Sequence, residues 1–180
     1  GQAGGSVAAG GPMAGGARRA GGAGYQVVRV GDAREGEARD LGAKHGEIAL
    51  AHQLSGPISA QASGRVALLS GGETTVTVRG GGRGGRNVEY LAGLALALGG
   101  RPGISAIASD TDCIHGTEAN AGGLILPYTL ARAAAAGLDP GALLADNDAY
   151  TLFLGLDDLM ICGPTLTNVN DFRASLIDPV

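Results

Sequence analysis

"SGGETTVTVRGGGRGGRN", residues 70–87, sets a Thr/Val run between two clusters of glycine, and the second cluster carries Arg83 and Arg86. Alternating Thr and Val suit a pleated strand, and "RVALLS" just before has the same character, so the two read as strands flanking Gly71-Gly72. Downstream, "NVEYLAGLALALGG" reads as a helix stopped by glycines. A strand, a glycine loop and a helix in that order can hold an anion on backbone N–H groups. The loop could therefore serve a phosphate, a dinucleotide, or nothing beyond a tight turn.

The same alternation of elements extends in both directions. Upstream, "YQVVRV" reads as a strand, and Asp32 with Glu35 forms a capping box that starts a helix. Ala38, Leu41, His45, Ile48 and His52 share one face of that helix. The two histidines lie seven apart rather than the four that a shared metal needs, which favours a structural role. Downstream come a strand "ISAIAS", a polar loop, a strand "GLILP", a helix from Thr129 to Ala136, a second opened by Asp139-Pro140, and a strand "LMIC". Phe172, Ala174 and Leu176 alternate as in a half-buried last strand. Interleaved strands and helices make the class α/β. Residues 1–24 are so rich in glycine that a flexible segment is expected, and "QLSGPISAQASG" reads as a linker that ends near residue 64.

Composition narrows the function. The 180 residues are 44% hydrophobic and only 3% aromatic, with no tryptophan, so the core must be built of Ala, Val, Leu and Ile. A net charge of −4 with no long basic run argues against a nucleic-acid or membrane partner and for small-molecule chemistry. No apolar run or leader pattern stands out, and the chain reads as cytoplasmic. Cys113 and Cys162 have no CxxC partner and read as free thiols.

Several stretches could carry chemistry. Gly80, Gly82 and Gly85 satisfy G-x-G-x-x-G, but a dinucleotide loop does not normally contain arginines, and Arg83 and Arg86 favour a phosphate or carboxylate clamp that also draws on Gly84, Gly85 and Asn87. No Lys-Ser/Thr follows the glycines, so this is not a Walker A loop. "SGGETT" offers Gly71 and Gly72 as a nest of N–H groups, Glu73 as an acid or Mg²⁺ ligand, and Thr74 as a phosphate hydrogen-bonder; a plain turn is the alternative. In "SDTDCIHGTEANAGG", Asp110 and Asp112 follow a strand, where two carboxylates can hold hydrated Mg²⁺ or take a proton from a hydroxyl. Glu118 and Asn120 add polar groups. In "GPTLTNVND", Thr165, Thr167, Asn168 and Asn170 could meet a polyhydroxylated substrate or simply turn the chain. Asn147 and Asp148 read as helix caps at least as readily as ligands.

Taken in order, "LLSGGETTVTVRGGGRGGRN-x-E", "SDTD-x-I-x-GTEANAGG", "AGLDP-x-x-x-LADNDAYT" and "ICGPTLTNVNDFR" resemble the C-terminal domain of the MOFRL-type glycerate kinases, whose members are often named hydroxypyruvate reductase. The resemblance implies a mixed β-sheet with flanking helices over residues 65–180, preceded in 25–64 by a remnant of a Rossmann-like α/β/α domain. It further implies transfer of the γ-phosphoryl group of ATP to the 2-hydroxyl of D-glycerate with Mg²⁺, giving 2-phosphoglycerate. Arg86 would contact substrate or phosphate, Asp110 and Asp112 would serve the metal or act as base, and Glu73 and Asn87 would support them. A catalytic lysine would come from the missing N-terminal domain, so the chain alone is expected to be inactive, and a homodimer is conceivable. Two departures stand out: Val88 replaces a glutamine, and Cys113 and His115 replace a glycine and a third aspartate. The competing readings are an NAD(P)H-dependent hydroxypyruvate reductase built on the glycine triplet, and a dead fragment that keeps an anion site.

Overall fold

The computed structural model describes residues 11–31, 36–55, 64–110, 120–161 and 171–180. Six strands form one mixed sheet in the order β1-β2-β6-β3-β4-β5, where β1 is Gln26–Arg29, β2 Val66–Gly71, β3 Ile104–Ser109, β4 Asn120–Ile125, β5 Leu159–Ile161 and β6 Phe172–Ile177. Strands β1 and β2 are parallel and are joined through helix α2, Ala38–Ser55; every other neighbouring pair is antiparallel. The α/β class with a mixed sheet is therefore as expected.

Helix α3, Arg86–Leu98, fills the centre of the main core, with Val88, Tyr90, Leu91, Leu94 and Ala95 buried against Leu68, Ile104, Ala106 and Ile177 of the sheet. Helix α2 packs on α3 at unusually close range because both helices carry glycine where they meet. A Cβ at Gly42 would lie 2.0 Å from the Tyr90 carbonyl oxygen, and one at Gly93 would lie 2.2 Å from that of Arg39. Glycine here costs helix propensity but permits backbone-to-backbone contact, which a core poor in large aromatic groups needs. Three short helices, α4 (Thr129–Ala135), α5 (Pro140–Ala145) and α6 (Ala149–Gly155), complete that layer on α3. Asp139 caps α5 by accepting hydrogen bonds from the backbone N–H groups of Gly141 and Ala142, and Pro140 stands at its first position, as the sequence predicts.

Four expectations change. Residues Pro12–Gly22 form a helix, α1, rather than a flexible segment. It lies on the opposite face of the sheet, where the absence of a side chain at Gly16 lets the Phe172 ring abut the helix: a Cβ there would come within 2.8 Å of the ring. Packing thus overrides the poor helix propensity of its glycines. The boundary near 64 does not separate two packed units, because β1 pairs with β2 and α2 shares the core of α3. "TTVTVR" is not a strand: both edges of β2 are already occupied, by β1 and β6, and the segment makes only an isolated bridge from Thr75 to Glu37. In β6 the core side is Arg173, Ser175 and Ile177, and the alternating set Phe172, Ala174 and Leu176 faces the α1 side. The Asp32–Glu35 capping box lies outside the described residues, and α2 itself begins at Ala38.

Candidate functional site

Residues from four distant parts of the sequence meet at one end of the sheet, the edge formed by the ends of its central strands β2, β6 and β3. In the strand register Phe172, the first residue of β6, lies opposite Gly71 on one side and Ser109 on the other. The next residue out along each of the three strands is therefore Gly72, Asp110 or Asp171. The N-terminus of α3 brings Arg86 and Asn87 to the same edge. A sheet edge built this way is where α/β folds place their ligands.

Arg86 is clamped by two carboxylates. Its Nε donates to Asp171 (2.9 Å to Oδ1, with Oδ2 at 2.8 Å), and its Nη2 donates to Asp110 Oδ1 at 2.6 Å. Asp171 is fully buried and also accepts from Arg173 Nη2 at 2.8 Å and, more weakly, from Asn87 Nδ2 at 3.4 Å. Arg173, itself only 1% exposed, is held further by the Gly71 carbonyl and Thr74 Oγ1, each at 3.3 Å, and lies over the Tyr90 ring with its Cζ 5.2 Å from the centroid. The hydroxyl of Tyr90 then meets His45 Nδ1 at 2.9 Å. A chain of polar contacts thus runs from α2 through the core to the sheet edge.

Burial and like charge set the titration of this cluster. Removal from water, with hydrogen bonding to the Asp110 carboxyl, pushes Asp171 up to about 6 against the opposing pull of Arg86. Burial lowers His45 to about 4, and the nearby Arg173 and Lys44 charges push the same way, so the ring is neutral at neutral pH. Burial also raises the Tyr90 hydroxyl well above its ordinary range.

The glycine loop has a different role from the one its spacing suggests. Five consecutive N–H groups are used within the fold: those of Arg79 and Gly80 go to Asn147 Oδ1, those of Gly81 and Gly82 to Asp146, and that of Arg83 to Asp148 Oδ1, over 2.6–3.1 Å. A Cβ at Gly80 would sit 2.3 Å from the Asp146 carbonyl oxygen, one at Gly82 2.3 Å from Asp148 Cβ, and one at Gly84 2.7 Å from the Asn147 carbonyl oxygen. These glycines let the loop lie against residues 146–148. The Arg83 guanidinium packs over the Tyr150 ring, 4.5 Å from its centroid. Asn147 Nδ2 donates to the fully buried Glu89 at 2.7 Å, and Glu89 also accepts from Arg39 at 2.7 Å.

Of the residues expected at a site, Arg86, Asn87 and Asp110 therefore come together. Gly71 and Thr74 hold Arg173, so they act behind the site; Glu73 is exposed. Arg83 and Gly84 belong to the loop clasp, and Gly85 is the N-cap residue of α3. Asp112, Cys113, His115, Glu118, Thr165, Thr167, Asn168 and Asn170 lie outside the described residues. Asp148 stands at the N-cap of α6, yet its side chain accepts from the Arg83 N–H and the Thr151 hydroxyl and not from a backbone N–H of the helix.

Sequence reasoning passed over Asp171, Arg173, Glu89 and Arg39. The Asp-x-Arg spacing at 171–173 was the available signal, since residues two apart on a strand share a face. An arginine on the core side of a strand only makes sense once its partners are known.

Among the described residues no three His, Cys, Asp or Glu side chains gather as a metal cage would require. Mg²⁺ does not need such a cage: it keeps several waters and takes one or two carboxylates together with substrate phosphates. Asp110, whose side chain is 16% exposed at the sheet edge, fits that kind of binding. No helix among the described residues is long and apolar enough to cross a membrane.

Guanidinium and carboxylate groups gathered at one end of an α/β sheet are an arrangement that can bind small anionic molecules. The sequence matches the MOFRL family over residues 66–171, and the chain belongs to that family. It is 51% identical over 158 residues to an Agrobacterium vitis protein carrying the name hydroxypyruvate reductase, a match covering 86% of this chain and 35% of that protein. It is 42% identical over 111 residues to the D-glycerate 2-kinase of Thermotoga maritima, covering 62% of this chain and 27% of that protein. The crystal structure of glycerate kinase from Thermotoga maritima superposes with a TM-score of 0.79 at 34% identity, over 88% of this chain and 37% of that one. The chain thus spans about a third of the length of the curated relatives it matches.

Proposed function

We propose that this chain supplies one side of the active site of an ATP-dependent glycerate kinase, which phosphorylates D-glycerate to 2-phosphoglycerate. The observation that carries the reading is the meeting of Arg86, Asp110 and the α3 N-terminus at one sheet edge, in a family whose relatives include proteins named glycerate kinase. Phosphoryl transfer asks little covalent work of a protein. It needs reactants held in line and the charge on the moving phosphoryl group offset. Arg86 and the positive end of α3 offset negative charge, and Asp110 would hold Mg²⁺ or receive the proton leaving the substrate hydroxyl. Mg²⁺, when bound, would screen the phosphate oxygens. Asp112 is proposed alongside Asp110 as a second carboxylate for the metal. The rest of the site, including a lysine, would come from the additional sequence that the relatives possess.

The reductase reading loses its residues. A dinucleotide loop offers bare N–H groups to a pyrophosphate, whereas those of residues 79–83 are bonded to residues 146–148. The test is made on the natural full-length protein. ADP release should depend on D-glycerate and fall at least ~100-fold in Arg86→Ala, the scale expected when one charge-stabilising group is lost from a site. NADH oxidation driven by hydroxypyruvate, with no ADP release, would overturn the assignment.

A further inference from the structure

The two carboxylates on Arg86 are not equivalent. Asp110 lies at the open side, with its side chain 16% exposed, and bonds only the tip of the guanidinium through Nη2. Asp171 is fully enclosed, bonds the inner Nε, and is fixed in turn by Arg173 from the core side and by Asn87 from α3. Arg86 Nη1 carries no hydrogen bond among the described residues, and the side chain is 30% exposed. The guanidinium is planar, so gripping its Nε edge fixes the plane and decides which way Nη1 and Nη2 point.

We propose that Asp171 is the positioning residue of this site: it holds the Nε edge of Arg86, so that the outer edge faces the anionic ligand, and Asp110 is the partner that the ligand can replace. This rests on the kinase reading for the nature of the ligand, not for the clamp itself. A long arginine side chain gives up much rotamer freedom when it binds a phosphate. A carboxylate that already holds the inner edge removes that cost before the ligand arrives. Arg173 serves one step further back, keeping Asp171 ionised and in place within the core.

The experiment reads the arginine directly. In the natural full-length protein labelled with ¹⁵N-arginine, the Arg86 Nε–H resonance is assigned by its loss in Arg86→Lys. It should be protected from solvent exchange in the wild type and in Asp110→Asn, and should exchange at least tenfold faster in Asp171→Asn. If Asp171→Asn does not fold, Asp171→Glu, which keeps the charge but shifts the carboxylate by one methylene, should still move the resonance. In kinase assays Asp171→Asn should raise the KM for D-glycerate or for ATP as well as lower kcat, whereas a general loss of folded protein would lower the apparent kcat and leave both KM values unchanged. An Arg86 Nε–H signal that is unchanged in both Asp171 variants would overturn the proposal. A protected signal in a protein without kinase activity would leave the clamp standing and remove the kinase reading.

Discussion

The glycine loop at 79–85 and the charged cluster at Arg86 are adjacent in sequence, yet they do opposite things with their polar groups. The loop spends its backbone donors on Asp146, Asn147 and Asp148, and its missing side chains make room for that contact. The cluster leaves the Nη1 of Arg86 without a hydrogen bond among the described residues, and lies at an accessible sheet edge. A glycine-rich stretch is thus no sign of a ligand cradle by itself. What matters is whether the fold has already used its N–H groups.

The sharpest way to break this comparison is Glu89→Ala. Glu89 ties Arg39 to Asn147, and Asn147 in turn holds the loop, with no part in the Arg86 cluster. Losing one side of a buried ion pair should cost about 3–5 kcal/mol. Chemical denaturation measures that loss, and the Arg86 ion pairs should survive it.

The polar chain behind the cluster is tested by pH. His45 is lowered to about 4 in the folded protein from an ordinary 6.5, so the unfolded chain binds its proton more readily. Its contribution is complete above pH 6.5 and is lost as the pH falls towards 4. Asp171 acts with the opposite sign: it is raised to about 6 from 3.8, so the cost of ionising it in the fold, present above pH 6, eases as the pH falls towards 3.8. The two slopes oppose each other in the wild type. His45→Gln should remove one of them and shift the difference in stability between pH 7 and pH 4 by about 3 kcal/mol in favour of the variant at low pH. Parallel pH curves for the two proteins would show that His45 does not titrate as described.

Gly82→Ala comes next, because its Cβ would have to displace Asp148 Cβ and the Asp146 carbonyl, at 2.3 and 2.8 Å. Overpacking of this kind should cost about 1–3 kcal/mol, read as a lower denaturation midpoint. The smallest effect belongs to Gly81→Ala, three atoms away along the same backbone. Nothing lies within 4 Å of the Cβ it would add, and stability should stay within about 0.5 kcal/mol of the wild type. Equal losses at residues 81 and 82 would mean that glycine is needed there for conformational freedom and not for close packing.

Much of this architecture could be read from local pattern. The strands "VALLS" and "ISAIAS" stand where their branched and alternating residues suggest, α3 ends at Gly99 in a left-handed conformation with φ of 59°, and Asp139-Pro140 opens α5. Arg86, Asn87 and Asp110 stand out in the sequence as candidates because a loop between a strand and a helix, and the end of a strand, are both common places for ligands, and the fold brings the three together. The failures share a cause. "TTVTVR" has the composition of a strand, but both sides of the preceding strand β2 are already paired, and α1 has the composition of a loop but a ring of Phe172 to pack on. Neither fact is present in the local sequence.

The sequence by itself determined which segments are helices and strands where propensity and capping agree, the α/β class, and the motif set that marks the MOFRL family. Tertiary structure decided the rest. It turned the glycine loop towards Asp146–Asp148, placed Arg173 on the core side of β6, and brought Asp171 to within hydrogen-bonding distance of Arg86, 85 residues away along the chain. Local pattern reflects short-range backbone sterics and the period of side chains along one element. A buried charge is tolerable only when its counter-charge arrives from another element, and that pairing exists only once the sheet order has been set.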